Sequence, residues 1–212
     1  MSVAAAMNAT QTVIMTTTNL LEELKLYAKE HNVPIMMEDG INFLLDLIRE
    51  YKPNTMLEIG TAIGYSSINF ASLGVNVTTI ERDDNMYALA INNINKANLD
   101  SKIRVIKGDA KETFDSVCDI KYDMIFIDAA KGSYQTFFDL YSPLLADNGI
   151  IVCDNMDFHG LCEEKDLSNY SRGLRSMIRK LNAFKENLLN NPTYETKYYH
   201  IGDGITVSKR VN

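Results

Sequence analysis

The stretch Asn54-Thr-Met-Leu-Glu-Ile-Gly-Thr-Ala-Ile-Gly-Tyr-Ser-Ser67 has the pattern of a short apolar strand, a glycine turn and the start of a helix. Loops that bind nucleotide cofactors have this layout. Gly60 and Gly64 give the spacing G-x-x-x-G, which differs from the G-x-G-x-x-G that holds a pyrophosphate at a helix N-terminus. Glu58 closes the predicted strand, where a carboxylate would repel a phosphate and attract a cation. A close turn that needs glycine for its geometry alone would show the same two glycines.

Glu58 favours S-adenosylmethionine (SAM) as the cofactor, because SAM carries an α-amino group and a positively charged sulfonium. Two further acidic residues follow the next two predicted strands. Glu81 can accept both hydroxyls of a ribose, and Asp109 can accept the adenine amino group. Each residue alone is more typical of a solvated loop, but three carboxylates at three successive strand ends together predict a SAM site. The predicted cofactor residues are Glu58, Gly60, Thr61, Ser66, Glu81, Asp109, Ala110 and Asp128.

Length and composition set the broad class of this protein. We expect its 212 residues to form one domain, with an N-terminal helical segment at 1–50 and an α/β core at 54–212. The net charge of −7 argues against nucleic-acid binding over the whole surface, but is compatible with a local basic patch. The three cysteines form no C-x-x-C pair, which is typical of a reducing compartment. Neither a membrane-spanning segment nor a signal peptide is found, so we expect a soluble, cytoplasmic protein without membrane contact.

The spacing of apolar residues predicts alternating helices and strands. Helices are predicted at 19–30 and 38–51, whereas residues 1–14 show no period and are assigned no structure. Beyond Gly64 the predicted strands are 75–80, 103–107, 122–127 and 149–153, and the predicted helices are 65–73, 84–97, 111–118, 134–145 and 171–189. This alternation predicts a parallel sheet covered by helices on both faces. A hairpin with the turn Gly202-Asp-Gly204 is expected to add antiparallel strands at the sheet edge.

Polar side chains also follow the last two predicted parallel strands. Asp128 ends one of these strands, and Asp154 and Asn155 end the other. If the strands are neighbours, two carboxylates and an amide oxygen converge beside the sulfonium end of the SAM site. An all-oxygen set suits Mg²⁺ or another hard divalent cation. The polar residues at either strand end alone would be typical of an ordinary loop, but together they predict a metal site.

A candidate base accompanies the metal residues. Lys131 follows Asp128 by three residues, and a nearby divalent cation disfavours the ammonium form of a lysine. Lys131 and Asp128 are therefore the predicted catalytic residues, with Lys131 as general base, although a loop lysine is more often a solvated charge. An acceptor with two adjacent oxygens on the metal would lose its proton more easily. Methyl transfer then needs alignment for in-line displacement.

The histidines His31, His159 and His200 show no metal-ligand spacing, and we interpret them as surface or packing residues.

Several motifs resemble the metal-dependent class I SAM O-methyltransferases, the group that includes catechol and caffeoyl-CoA O-methyltransferases. They are Val33-Pro-Ile-Met36, Leu57-Glu-Ile-Gly-Thr-Ala-Ile-Gly-Tyr-Ser66, Phe126-Ile-Asp-Ala-Ala-Lys-Gly132 and Ile201-Gly-Asp-Gly204. The resemblance covers nearly the whole chain and implies a seven-stranded Rossmann-like sheet and a homodimer. It also implies Glu58, Glu81 and Asp109 on SAM, Asp128, Asp154 and Asn155 on the metal, and Lys131 near the acceptor oxygen.

Within this group, the same motifs look most like the bacterial enzymes that methylate 5-hydroxyuridine in tRNA. The expected reaction converts 5-hydroxyuridine at the wobble position of the anticodon loop to 5-methoxyuridine. O5 and O4 of that base form a vicinal pair of oxygens, and a loop base can be splayed into a cleft. Arg172, Arg175 and Arg179 recur on one face of a predicted helix and are candidate tRNA-binding residues. A solvated helix face or ion pairs at a dimer interface would explain the same arginines.

Three other functions share part of this pattern. An O-methyltransferase of a small catechol-like diol would need every catalytic residue named above, so the catalytic residues do not separate it from a tRNA enzyme. A NAD-dependent dehydrogenase is opposed by Glu58 and by the missing third glycine. A catalytically silent SAM-binding or RNA-binding module would not need the metal residues.

Overall fold

The strands of the described chain lie in one mixed sheet. The computed structural model describes residues 3–164 and 166–211, with the backbone alone for residues 3–16 and 131. The strands are β1 (Thr55–Ile59), β2 (Asn76–Glu81), β3 (Ile103–Lys107), β4 (Tyr122–Ile127), β5 (Leu145–Cys153), β6 (Tyr194–Tyr199) and β7 (Ile205–Arg210). Their order is β3-β2-β1-β4-β5-β7-β6, with β1 to β5 parallel and β7 antiparallel to both neighbours. The predicted Rossmann-like fold with a C-terminal antiparallel hairpin is confirmed.

The helices lie between these strands and before the first one. In the described residues they are α1 (Val3–His31), α2 (Glu38–Tyr51), α3 (Tyr65–Ser72), α4 (Asp84–Lys96), α5 (Tyr134–Tyr141) and α6 (Arg172–Leu189). Side-chain caps fix two of the helix starts: Asp83 accepts from the first turn of α4, and the Ser171 hydroxyl accepts from Leu174 N. No helix of the described residues carries an apolar stretch long enough to cross a membrane.

Three helix predictions differ from the structure. The helix predicted at 134–145 ends at Tyr141, because a 3₁₀ turn with Pro143 follows at Ser142–Leu144 and β5 begins at Leu145. The predicted helix at 111–118 is wrong, because this segment forms only a 3₁₀ turn at Phe114–Ser116. The Asp109 side chain accepts a hydrogen bond from Lys111 N, and such a local bond favours a turn over a helix. The first helix is longer than predicted and begins at Val3. Its alanine-rich start has high helix propensity but no apolar period, so the spacing of apolar residues does not predict it.

The core consists of two apolar layers, one on each face of the sheet. Alternate side chains of β4 point to opposite faces. Met124 and Phe126 pack with residues of α1 to α4, whereas Ile125 and Ile127 pack with residues of α5 and α6. All four side chains are fully buried, as expected for a central parallel strand.

The C-terminal ends of the central strands are level with one another, and this edge of the sheet carries the candidate site. Gly60 N donates to Ile80 O at 3.1 Å, and Asp128 N donates to Ile59 O at 3.0 Å. The close approach requires glycine at position 60: its φ is +104°, and a Cβ there would overlap the carbonyl oxygen of Asp128.

Candidate active site

A cavity of about 620 Å³ opens at the C-terminal edge of the parallel strands β1 to β5. A volume of this size is typical of sites that bind small molecules and cofactors. The turns that follow these strands supply most of its wall. The structure brings together at this wall the predicted residues Gly60, Thr61, Ser66, Glu81, Asp109, Ala110, Asp128, Asp154 and Asn155.

Glu81 is held in one orientation at the end of β2. Its Oε2 accepts from Ala62 N at 2.8 Å, and its Oε1 accepts from Asp83 N, also at 2.8 Å. Each carboxylate oxygen has a further lone pair, and the side chain lines the cavity. Glu81 can therefore accept a pair of hydroxyls from a ligand without losing its contacts to the backbone.

Glu58 lies beneath the cavity and not on its wall, which differs from the contact with SAM that the sequence suggested. Its carboxylate is fully buried and accepts hydrogen bonds from the hydroxyls of Ser66, at 2.5 Å, and Ser67. Helix α3 begins directly above the end of β1, so its two serines cover the carboxylate. Burial raises the pKa of Glu58 to about 7, against the lowering effect of these hydrogen bonds. Ser66 is the member of this group that reaches the cavity.

The turn after β3 presents Asp109 to the cavity. Its Oδ1 accepts from Lys111 N at 2.9 Å, and its Oδ2 lies 3.8 Å from the guanidinium of Arg82. Tyr141, buried in α5, donates a hydrogen bond of 2.5 Å to the carbonyl of Ala110. Tyr141, which the sequence analysis does not assign to the site, therefore fixes the position of this turn.

Asp128, Asp154 and Asn155 follow the neighbouring strands β4 and β5, as predicted. Asn155 Nδ2 donates to Asp128 Oδ1 at 2.9 Å, and all three residues line the cavity. The donor set consists of two carboxylates and an amide whose oxygen and nitrogen can exchange places by a flip of the side chain. These oxygens fit a hard divalent cation. Asn155 has a φ of +60°, a conformation that asparagine tolerates better than most residues.

Tyr134 supports this group from α5. Its hydroxyl donates to the backbone carbonyl of Asp154 at 3.0 Å. Burial raises the pKa of Tyr134 well above its ordinary value, and the charges of Asp128 and Asp154 raise it further. The phenol therefore stays protonated and acts as a fixed donor. The catalytic role of Lys131 stays a prediction: its backbone begins the 3₁₀ turn Lys131–Ser133, and its side chain lies outside the described part of the structure.

Two side chains that the sequence analysis did not assign to the site also line the cavity, His159 and Asp203. Asp203 belongs to the hairpin turn, and its Oδ1 accepts from His159 N. The sequence signal for this residue is the motif Ile201-Gly-Asp-Gly204, which indicates a hairpin turn and the family resemblance but not a place in the site. Met36 and Met37 bring an apolar wall from the segment between α1 and α2.

A second acidic group lies outside the cavity. Ligand atoms of Asp157, Glu163 and His200 come within 4.8 Å of one another. The ammonium of Lys185 lies 3.2 Å from Asp157 Oδ1 and supplies the positive charge that balances this group. We interpret the cluster as an ion-pair network that joins α6 to the loop after β5.

Arg172, Arg175 and Arg179 lie together on the first turns of α6. With Gly173 and Ser176 they line a second, more open hollow. The ion pairs found among the described residues include none of these three arginines. The other face of this helix is buried and carries residues such as Ile178 and Leu181.

Comparison with known proteins gives the family of this chain. A family model described as O-methyltransferase matches residues 11–211. The chain belongs to this O-methyltransferase family. It is 30% identical over 202 residues to a candidate caffeoyl-CoA O-methyltransferase of Arabidopsis thaliana, across 91% of this chain and 86% of the relative. The family and its relatives make it a SAM-dependent O-methyltransferase of the caffeoyl-CoA type.

Solved structures of other O-methyltransferases share the fold. A candidate caffeoyl-CoA O-methyltransferase from Staphylococcus aureus is 36% identical with a TM-score of 0.86, across 96% of this chain and 99% of that chain. The O-methyltransferase from Bacillus cereus, solved with SAH, is 25% identical with a TM-score of 0.78, across 91% of each chain.

Proposed function

We propose that this O-methyltransferase acts in the presence of a divalent cation, most simply Mg²⁺, and that its acceptor is 5-hydroxyuridine at the wobble position of tRNA. The product is 5-methoxyuridine. The observation that carries the proposal is the convergence of Asp128, Asp154 and Asn155 on the wall of the cavity that also presents Glu81 and the glycine turn.

The cofactor would lie along the strand ends. The turn from Gly60 to Ser66 would hold the methionine part, with Ser66 positioned by the buried Glu58. Glu81 would accept the ribose hydroxyls, and Asp109 would accept the adenine amino group. Phe137 and the methionines before α2 add apolar surface that excludes water from the reacting groups.

The acceptor would lie at the other end of the cavity. A divalent cation held by Asp128, Asp154 and Asn155 would supply a Lewis acid that favours the deprotonated form of a hydroxyl with an adjacent oxygen. Lys131 would take the proton, and the C–O bond would form as the C–S bond of SAM breaks, with SAH as the leaving product. Tyr134 would keep Asp154 in position through its backbone carbonyl.

The tRNA assignment is supported by the arginines of α6. The protein carries a net charge of −7. The three arginines take part in none of the ion pairs found among the described residues, and they form a local patch of positive charge. Guanidinium groups bind phosphate oxygens through paired hydrogen bonds. A row of them on one helix face therefore fits the backbone of a folded RNA.

A second candidate is a small phenol with two adjacent hydroxyls, which the names of the relatives favour. Such an acceptor would use the same metal residues and the same base. If it carried phosphates, as caffeoyl-CoA does, the arginines could bind those phosphates instead. The acceptor itself therefore has to be varied in the deciding experiment.

That experiment measures methyl transfer from labelled SAM by the purified protein. The acceptors are an anticodon stem–loop with 5-hydroxyuridine, the same stem–loop with uridine, and caffeoyl-CoA, each with Mg²⁺ or with excess EDTA. We expect transfer only to the 5-hydroxyuridine RNA, its loss in EDTA, and unchanged SAM binding by calorimetry in EDTA. Efficient transfer to caffeoyl-CoA alone would establish the second candidate, and full transfer in EDTA would exclude a metal-dependent reaction.

A further inference from the structure

We infer that His159, oriented by the buried carboxylate of Asp203, accepts a hydrogen bond from N3–H of the acceptor uracil and so distinguishes a pyrimidine base from a catechol. The inference rests on the proposed function, because it names a contact to that acceptor.

Asp203 is a buried carboxylate with one oxygen left to be satisfied. The side chain is 7% exposed, and its Oδ1 accepts from His159 N. Its Oδ2 has no hydrogen-bond partner among the described residues. A buried carboxylate with an unused oxygen is costly unless its position serves another group. The imidazole of His159 is the group that stands next to it, with Nδ1 at 3.6 Å from Oδ1.

The backbone around His159 adopts a conformation that is rare for residues with a side chain. Phe158 and His159 have φ values of +46° and +56°, in the left-handed region. The hairpin turn holds this loop in place, because Asp157 N donates to the Asp203 carbonyl at 2.8 Å and Met156 N donates to the Gly204 carbonyl at 2.9 Å. Such backbone conformations are concentrated at functional sites. As a result, the imidazole of His159 lies on the cavity wall and is 73% exposed, next to the carboxylate of Asp203.

This arrangement selects one tautomer of the imidazole. A small rotation of the ring brings Nδ1–H into a hydrogen bond with the Asp203 carboxylate, and Nε2 then carries the lone pair. Nε2 is therefore an acceptor directed away from Asp203. In 5-hydroxyuridine, N3–H lies next to O4, one of the two oxygens at the metal residues. A catechol whose two hydroxyls are engaged has no N–H at that edge of the ring.

His200 provides a matched control. Its side chain is also 73% exposed and also lies near a carboxylate, with Nδ1 at 4.0 Å from Asp157 Oδ2. It is not among the residues that line the cavity. A substitution of His200 therefore removes an equivalent imidazole without touching the proposed contact.

The test compares kcat/KM for two stem–loops, one with 5-hydroxyuridine and one with its N3-methyl derivative, which lacks the N3–H. The variants are His159→Asn and His159→Gly, which both tolerate a left-handed backbone, and Asp203→Asn, whose amide NH₂ favours the opposite tautomer. SAM affinity and melting temperature serve as checks of the fold, and His200→Asn is the control.

We expect wild type and His200→Asn to prefer the N3–H substrate by roughly tenfold or more, and the three other variants to lose this preference. The inference would be overturned if His159→Gly and His159→Asn methylated the 5-hydroxyuridine stem–loop, which carries the N3–H, as well as wild type does. An equal preference for this stem–loop over the N3-methyl derivative in all variants would also overturn it. A wild-type enzyme that methylates neither stem–loop would overturn the proposed function as well, so the two failures are distinguishable.

Discussion

The side-chain amide of Asn155 donates a hydrogen bond of 2.9 Å to the carboxylate of Asp128. The two residues are 27 positions apart in the chain and follow adjacent parallel strands. The pairing of β4 with β5 is what brings them together, and Asp154 completes the group. The chemistry proposed for this enzyme therefore depends on the order of strands in the sheet.

Substitution of Asp154 tests the metal site without a large change in shape. Asp154→Asn removes one charged oxygen ligand and keeps the shape of the side chain, so we expect the fold to be retained. Mg²⁺ or Mn²⁺ affinity and methyl transfer should fall by about tenfold or more, while SAM affinity stays constant. Calorimetric titrations with each ligand provide the measurement, with the exposed Asp147→Asn as control. Unchanged metal affinity in Asp154→Asn would contradict this assignment.

The buried Glu58 predicts a specific pH dependence of stability. Its pKa is about 7 in the folded protein and near 4.5 when unfolded, so the folded state binds this proton more tightly. As pH rises from about 4.5 to 7, the unfolded state loses the proton first, and the free energy of unfolding falls. Glu58→Gln has no proton to lose at this position. Its free energy of unfolding should therefore rise relative to that of wild type as pH increases, by about 1.4 kcal/mol per unit of pKa shift.

Urea unfolding of wild type and Glu58→Gln at pH 5 and pH 8 measures this difference, because other titrating groups contribute equally to both proteins. A stability difference that is the same at both pH values would show that the pKa of Glu58 is not raised.

The close approach of β1 and β4 makes Gly60 more sensitive to substitution than other glycines. Gly60 and Gly74 both have left-handed φ values, +104° and +96°. A Cβ at Gly60 would overlap the Asp128 carbonyl oxygen, whereas a Cβ at Gly74 meets nothing within 4 Å. Gly60→Ala should therefore cost roughly 1–3 kcal/mol more stability than Gly74→Ala, and it alone should weaken SAM binding. Equal losses by urea unfolding would refute the steric argument.

The arginines of α6 predict a salt-dependent RNA interaction. Replacement of Arg172, Arg175 and Arg179 by alanine should weaken binding of the 5-hydroxyuridine tRNA and flatten its dependence on salt, with SAM affinity unchanged. The control removes the same charge elsewhere, through alanine at the exposed residues Lys29, Lys52 and Lys96. Binding is measured by filter retention at several salt concentrations.

Normal tRNA methylation by the arginine variant would show that this helix face does not bind the RNA. A change in its sedimentation mass would instead assign the arginines to the interface of the homodimer that the family resemblance implies.

The sequence predicted the sheet and most of the cavity wall because both follow from local patterns. Short apolar runs between predicted helices locate the parallel strands, and parallel strands place their last residues at one edge. The sequence therefore assigns Glu81, Asp109 and Asp128 to one site, and all three line the cavity. The same rule does not tell which way a side chain at a strand end is directed. Glu58 is covered by Ser66 and Ser67, a consequence of where α3 begins.

The contact between His159 and Asp203 shows a second limit. The two residues are 44 positions apart, and Asp203 lies in the turn of the hairpin whose strand β7 pairs antiparallel with β5. Periodicity predicts that a hairpin exists but not which loop its turn meets. The left-handed backbone at His159 is not predicted by the sequence either, since histidine is enriched at such positions but adopts them in only a small minority of cases.

Mass spectrometry of tRNA nucleosides from a strain that lacks this gene tests the central claim most directly. If the enzyme methylates 5-hydroxyuridine at the wobble position, 5-methoxyuridine disappears and 5-hydroxyuridine accumulates. Reintroduction of the wild-type gene, but not of Asp154→Asn, should restore 5-methoxyuridine. An unchanged level of 5-methoxyuridine in the deletion strain would contradict the account.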